Sequence, residues 1–281
     1  MRKETCIIIV NLNGKNLLKY CLDSLKSNMP KSSKVIVVDN NSNDGSRELL
    51  KKSYPWVDVI KNNSNRGFSG ANNDGIKYAY KKYNPDYYYF LSNDTKVTRN
   101  FVYELIKIAK KGKTIGLLGS RQKNFENKDT IFSGDFNFFG VKYYFGKDPR
   151  EVEWVSGAAF MVIREVIEKV GGLDEMYNPA YYEESDWEKR IKKGGFEIFT
   201  VPKSLVYHKG GGSSSEYPLN IFEIFYRNRV RFFLRHSPLL LFSRFFVDII
   251  RGIKKKNIAS VFSGYVLGIK SFNKQNIFYI K

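Results

Sequence analysis

The sequence predicts an α/β fold: a mostly parallel, Rossmann-like sheet flanked by helices and followed by a C-terminal helical appendage. Two observations carry this prediction. From Thr5 to about Ser120, short Ile- and Val-rich runs such as "TCIIIVNL" and "KVIVVD" alternate with amphipathic stretches such as "LLKYCLDSLKS" and "FVYELIKIAKKG", the pattern of βαβ units whose strands are covered on both faces. A Gly-Ser run, "KGGGSSSE" at 209–216, then separates this region from a segment of different character, and reads as a flexible boundary. The expected domains are therefore residues 1–210 and residues 211–281.

Element by element, the first run is a buried strand. The apolar stretch after "MRKET" is too short for the core of a signal peptide and lacks a small-residue cleavage site. Strands and helices then alternate through "VDVIKN", "GANNDGIKYAYKKY", "YYYFLSND" and "IGLLGS". Between Gln122 and Arg150 the pattern gives way to short aromatic runs punctuated by Gly and Asn, which suit hairpins or a mobile loop. A strand around "AAFMVI", a helix from about Glu165 to Val170, an acidic stretch, and two short strands, "EIFTVP" and "SLVYH", complete the first domain.

The chain has 281 residues, 42% hydrophobic and 27% charged, with a formal charge of +19. Its length supports a real core, and its charge predicts attraction to polyanions: nucleic acid, anionic lipid or phosphate-bearing small molecules. Residues 217–281 alone carry twelve Lys or Arg against Glu223 and Asp248. Arg227, Arg231 and Arg235 recur at i, i+4 and i+8, one basic stripe beside an aromatic face. No segment there reaches the roughly 20 apolar residues of a membrane span. The helices are expected to rest on an anionic membrane surface or to dock on the first domain. No recognised RNA- or DNA-binding motif accompanies the charge, which argues against a nucleic-acid partner. The two cysteines, Cys6 and Cys21, lie in apolar segments without CxxC spacing and read as buried thiols of a reducing compartment.

In an open parallel sheet, ligands bind beyond the carboxyl ends of the strands. The polar residues there are Asn11 and Asn13, Asp39, Asn65 and Arg66, and Asn93 and Asp94, one group after each of the first four strands. Each residue also suits a turn or a helix cap; their succession along one sheet edge is what marks a site. "RGFSGANN" is glycine-rich ahead of a helix, yet it fits neither GxxxxGK[ST] nor GxGxxG, which argues against a P-loop NTPase and a dinucleotide-binding dehydrogenase.

Taken in order, "IIIVNLNG", "VIVVDNNSNDGS", "NRGFSGANN", "YFLSNDT", "WVSGAAFMVIR", "GGLDEMY" and "YYEESDWEKR" resemble the inverting family 2 glycosyltransferases of the rhamnosyltransferase-like kind, over about residues 5–210. The resemblance implies a GT-A fold and transfer of a sugar from a nucleoside diphosphate donor, a UDP- or dTDP-sugar, to a hydroxyl of a glycan or polyprenyl-linked acceptor. It also implies a divalent metal, Mg or Mn, as cofactor, and work at the cytoplasmic membrane face in surface polysaccharide or glycoconjugate synthesis. Asp39 matches the carboxylate that contacts the nucleotide base or ribose. Asn11, Asn65 and Asn93 match the polar lining of the donor pocket, and Arg66 is an addition suited to a phosphate. Asp94 matches the last residue of the DxD-type metal motif, whose first acid is replaced here by Ser92. His208 ends the strand where related enzymes place a metal-binding histidine, and His236 is expected to be structural or interfacial. Trp154, Gly157 and Ala158 lie where the family meets its acceptor. The competing expectations are a nucleotidyltransferase acting on sugar phosphates and a basic nucleic-acid binding module.

The stretch from Tyr181 to Arg190 holds three carboxylates in four positions. Ser185 and Glu188 have capping-box spacing, which predicts a helix starting at Ser185 with Asp186 in its first turn and paired with Arg190 at i+4. Glu183 and Glu184 would precede that cap without a structural task. By resemblance the catalytic base is the second residue of this pair, Glu184, with Glu183 and Asp186 as alternatives.

Overall fold

The computed structural model describes residues 4–137, 140–210, 220–272 and 277–280. Its centre is a nine-stranded sheet built on strands β1 (Thr5–Asn11), β2 (Ser33–Asp39), β3 (Asp58–Lys61), β4 (Tyr87–Leu91), β5 (Thr95–Val97) and β6 (Ile115–Lys123). A short hairpin, β7 (Ser133–Asn137) and β8 (Gly140–Tyr143), leads to β9 (Arg150–Glu151), β10 (Trp154–Val155), β11 (Ala159–Ile163) and β12 (Glu197–His208). The sheet order is β3-β2-β1-β4-β11-β6-β12-β5, with β9 paired to β12. β11 lies antiparallel between β4 and β6, so β6 and β12 point the same way as β1 to β4. The carboxyl ends of β1, β2, β3, β4 and β12 thus share one edge, and His208 is brought to the edge that holds Asn11, Asp39 and Asp94.

The Ile and Val runs form strands because their branched side chains pack on a pleated surface. Burial of consecutive residues from Cys6 to Ile9, Val35 to Val38 and Tyr88 to Leu91 shows that both faces are covered. The covering helices are α1 (Lys15–Asn28), α2 (Ser46–Ser53), α3 (Gly67–Tyr83), α4 (Phe101–Ala109), α5 (Arg164–Val170) and α6 (Glu183–Lys193). Cys6 and Cys21 are both buried, and burial pushes the Cys21 thiol up to about 12. The stretch 122–150 contains the hairpin, which joins β10 in a small separate sheet. The two predicted strands at 197–208 are one strand. Its register shifts between Val201 and Leu205, a span that includes Pro202, whose missing N–H interrupts a ladder.

Most of the predicted Gly-Ser boundary, 211–216, lies outside the described residues. Beyond it stand α7 (Ile221–His236), α8 (Pro238–Lys254) and α9 (Ile258–Lys270). α9 lies close along α7: a Cβ on Gly264 or Gly268 would come within 2.9 Å of the Glu223 carbonyl oxygen or 2.8 Å of that of Arg227. The basic stripe of α7 is turned inward. Arg227 and Arg231 donate to the carbonyls of Asn178 and Met176. Arg235 Nη1 lies 2.6 Å from Asp174 and 2.9 Å from Asp186. α8 instead turns an apolar face outward, with Leu239 93% and Phe242 73% exposed. Among the described residues no helix is long and apolar enough to cross a membrane.

Asp186, wholly buried, also accepts from Arg190 at 2.7 Å and contacts His236 Nε2 at 2.8 Å. Burial alone would raise its carboxyl; the hydrogen bond to His236 and the charges of Arg190 and Arg235 hold it well below the usual carboxylate range. Its contribution to stability is therefore present above the unfolded-state pKa and lost as the pH falls through the depressed folded value. Asp186→Asn should destabilise the fold by about 3 kcal/mol at neutral pH. The difference in melting temperature from the native chain should shrink as the pH is taken below the ordinary carboxylate range.

Candidate active site

At the carboxyl edge of the sheet lies a cavity of about 290 Å³. Of the residues expected to form a site, Asn65, Asn93, Asp94, Gly157 and His208 line it. Its floor is the end of β4, where Asn93 donates through Nδ2 to Asn11 Oδ1 at 2.8 Å. Asn11 in turn donates to Ser42 Oγ at 3.2 Å. The Asn93–Asn11 bond crosses between the ends of β1 and β4, and Gly14 makes room for it at the start of α1: a Cβ there would stand 2.2 Å from Asn93 Nδ2 and 2.8 Å from Asn11 Oδ1. Asp39 is fully buried, with Oδ1 held by Arg47 Nε at 2.5 Å and by the Ser42 N–H at 3.1 Å. Its neighbour Asn40 is the residue that reaches the cavity wall. Asn40 Nδ2 donates to Asn65 Oδ1 at 2.7 Å, and its Oδ1 accepts from the Arg66 N–H at 2.9 Å. The turn after β3 is thus bound to the turn after β2.

The Arg66 side chain, expected to meet a phosphate, is turned away. Its guanidinium pairs with Asp74 at 2.8 Å and Glu175 at 3.3 Å, two carboxylates that the sequence places far apart and the fold brings together. Trp154 is half-buried on β10 and packs edge-on against Tyr143 at 6.1 Å, away from the cavity lining. Ala158 lies beneath the lining, its carbonyl accepting from the Ser92 N–H at 2.8 Å.

Asp94 and His208 meet on the cavity wall, Oδ1 to Nε2 at 3.2 Å. The other oxygen, Asp94 Oδ2, accepts from the Gly210 N–H at 3.1 Å. A carboxylate oxygen beside an imidazole nitrogen is a donor set compatible with Mg or Mn. Among the described residues no group of three His, Cys, Asp or Glu could hold a metal ion. These two side chains would therefore be joined by substrate oxygens or water around any such ion.

The acidic stretch differs from its local reading. α6 begins at Glu183, with Tyr182 at its N-cap and no side-chain cap, so Ser185 does not start the helix. Glu188 accepts instead from the Val155 N–H at 2.8 Å, fastening α6 to β10. The local rule fails because tertiary bonds satisfy the chain ahead of the helix. Asn228 on α7 donates to the carbonyls of Ala180 at 2.8 Å and Tyr181 at 3.1 Å, and also to that of Tyr177. Tyr181 and Tyr182 both take left-handed backbone angles, φ 75° and 71°, a conformation that costs bulky residues on the order of 1–3 kcal/mol each and that the α7 donors help to offset.

Of the three acids, Asp186 is occupied by the ion network with α7. Glu183 is 5% exposed, and its Oε2 is buried without a hydrogen-bond partner among the described residues. Glu184 stands against Gly157, where a Cβ would lie 3.4 Å from Glu184 Oε1, and so adjoins the cavity wall. Its Oε2 is likewise buried without a partner. Burial raises the Glu184 carboxyl, and burial with the charge of Glu184 raises Glu183 well above the usual range. Sequence reasoning passed over Asn40, Asn72 and Tyr181 in the lining. All three lie inside quoted motifs, "VVDNNS", "GANN" and "YYEESDWEKR", but in the last of these the carboxylates drew attention away from Tyr181. Gly14→Ala should cost about 1–3 kcal/mol by forcing apart the Asn11–Asn93 bond, read as a lowered melting temperature.

The "Glycosyl transferase family 2" description matches residues 6–171. A low-salt glycan biosynthesis hexosyltransferase of Haloferax volcanii is 27% identical over 70% of this chain, which spans 64% of that relative's length. An N-acetylglucosaminyl-diphospho-decaprenol L-rhamnosyltransferase of Mycobacterium tuberculosis is 24% identical over 69% of this chain and 72% of its own. Among solved structures, GalNAc-T7 with UDP, GalNAc and Mn2+ superposes with a TM-score of 0.63 at 18% identity, covering 83% of this chain and 48% of the other. The match in fold agrees with the α/β architecture of the GT-A kind, and the family match spans more than half the chain: it belongs to glycosyl transferase family 2.

Proposed function

We propose that the protein is a metal-dependent, inverting glycosyltransferase that moves a sugar from a nucleoside diphosphate donor to a hydroxyl of a glycan or lipid-linked acceptor, in surface polysaccharide or glycoconjugate synthesis. The observation that carries this reading is the placement of Glu184, a buried carboxyl with a raised pKa, against Gly157 in the wall of the cavity that Asp94 and His208 also line. Residues 1–210 would form the catalytic domain and residues 211–281 a helical unit docked on it. The outward apolar face of α8 supports peripheral contact with an anionic membrane, since Arg251, Lys254, Lys255 and Lys256 cluster at its end. The relative whose name specifies a diphospho-decaprenol acceptor supports a lipid-linked acceptor here.

In this mechanism the donor, a UDP- or dTDP-sugar, lies across the carboxyl edge with its nucleotide toward Asn40, Asn65 and the Asp39 turn. Asp94 and His208 would hold Mg or Mn, which when bound neutralises charge developing on the departing diphosphate. Glu184 takes the proton from the acceptor hydroxyl as that oxygen bonds to the anomeric carbon. The bond from that carbon to the diphosphate oxygen breaks on the opposite face, so the configuration inverts and no covalent enzyme intermediate forms. The cage of Asn11, Asn93 and Ser42 keeps the edge rigid beneath the donor, and the buried position of Glu184 makes it a stronger base than a solvated carboxylate.

Glu184→Gln should lower transfer from a nucleotide sugar by about 10²–10⁴-fold with the fold intact, and Asp94→Ala should abolish it. Full activity in both would remove the assignment. Because the base acts only when deprotonated, the native rate should fall as the pH drops through the raised pKa of Glu184. The acid limb of the profile should therefore lie above the ordinary glutamate range, and it should be absent from the residual activity of Glu184→Gln.

A further inference from the structure

A second cavity, of about 240 Å³, opens where α7 and α8 meet the loop ahead of α6. Its walls include Phe222, Phe225, Tyr226 and the buried Arg229, with Arg251 and Lys255 from the end of α8. Tyr181 lines this cavity and the catalytic one alike, and its ring packs edge-on against Phe225 at 5.9 Å. The two cavities are therefore neighbours across a single side chain.

The charges of this second cavity are unbalanced. Arg229 is 6% exposed, and its Nη1 is paired with Asp248 at 2.7 Å. Asp248 also accepts from Tyr265 at 2.9 Å. The Nε of Arg229 remains buried with no hydrogen-bond partner among the described residues, and an unsatisfied buried donor is costly. Arg251 and Lys255 are exposed and form no ion pair among the described residues. Three cations thus face one carboxylate in an aromatic-walled recess, an arrangement suited to an anionic group of about two charges. Beside the recess runs the outward face of α8, where Phe246, Ile250 and Ile253 are 51%, 55% and 63% exposed. That face continues the site with a surface a hydrocarbon chain would cover.

We propose that this recess binds the diphosphate of a lipid-linked acceptor, with the lipid chain along α8 and the sugar passing Tyr181 into the catalytic cavity. The inference rests on the reading of the protein as a transferase acting on a lipid-linked acceptor, and it adds the place where that acceptor is held. Arg251 and Lys255 grip the anionic link from the membrane side, Arg229 supplies the buried donor, and Tyr181 separates phosphate from sugar. Binding there would fix how far an acceptor sugar lies from the membrane surface.

The test is a calorimetric titration of farnesyl diphosphate, a soluble short-chain probe, onto the full chain in EDTA without donor. The native chain should bind it, and R251Q/K255Q should bind about tenfold more weakly. K254Q/K256Q removes the same charge from neighbouring exposed positions outside the cavity lining and should bind as the native chain does. Farnesol should bind more weakly than farnesyl diphosphate and equally to all three proteins. Equal affinity of R251Q/K255Q and the native chain would overturn the assignment. So would displacement of the probe by UDP, which would put it in the donor cavity, or inorganic diphosphate binding as tightly as the probe, which would exclude a lipid ligand. Because no turnover is measured, these outcomes are independent of Glu184→Gln: loss of transfer in that variant with unchanged probe binding in R251Q/K255Q would leave the catalytic reading and remove only the acceptor recess.

Discussion

The Asp186 carboxylate joins α6 to α7. Arg190 reaches it from the same helix, while Arg235 and His236 reach it from α7. A buried acid with three basic neighbours is stable only while all of them stay in place, since removing one partner leaves an uncompensated charge in a low-dielectric interior. The arrangement fixes the register of α7 against α6. Once that register is set, Arg227, Asn228 and Arg231 fall opposite the carbonyls of residues 176–181, and the loop ahead of α6 has its backbone partners.

That loop is where stability and chemistry meet. Two consecutive tyrosines in left-handed conformations turn the chain so that α6 starts at Glu183, and the first turn then carries Glu184 to the back of Gly157. Without the donors of α7, the preceding carbonyls would need water and the turn would have cheaper alternatives. The C-terminal helices thus take part in positioning the proposed base. The same geometry leaves Glu183 Oε2 and Glu184 Oε2 buried and without a partner among the described residues, a local instability held by the surrounding structure, as is common where a carboxyl is tuned for proton transfer.

The donor side of the cavity uses a different device. Asn93 bonds to Asn11 and Asn40 to Asn65, the latter pair also reaching backbone, so neutral amides line the ends of β1 to β4, with Asn11 Nδ2 also 3.5 Å from Asp39 Oδ2. Amide pairs satisfy both a donor and an acceptor and place no net charge where a diphosphate is proposed to lie. The positive charge needed there would come from the metal that Asp94 and His208 are proposed to hold, and the spare cationic charge of α7 and α8 sits beyond Tyr181.

The α/β class, the strands and their polar ends could be read from the sequence alone, because periodicity, branched side chains and turn residues act within a few positions of one another. The Asp186–Arg190 pair was legible for the same reason. The pairing of Asp94 with His208, 114 positions apart, was available only through resemblance, and the sheet order explains it by returning β12 to the edge of β4. The sequence displayed the stripe of Arg227, Arg231 and Arg235 but gave no sign of its partners. A basic stripe facing solvent, lipid, backbone carbonyls or buried carboxylates has the same helical spacing, and only the fold decided the matter, by setting the carbonyls of Met176 and Asn178 and the buried Asp174 and Asp186 against α7. Arg66 went to Asp74 and Glu175, and Glu188 to Val155, on the same principle: a charged side chain is committed by whatever opposite charge or free N–H the fold places within about 3 Å, and sequence spacing beyond one helical turn carries no information about that distance.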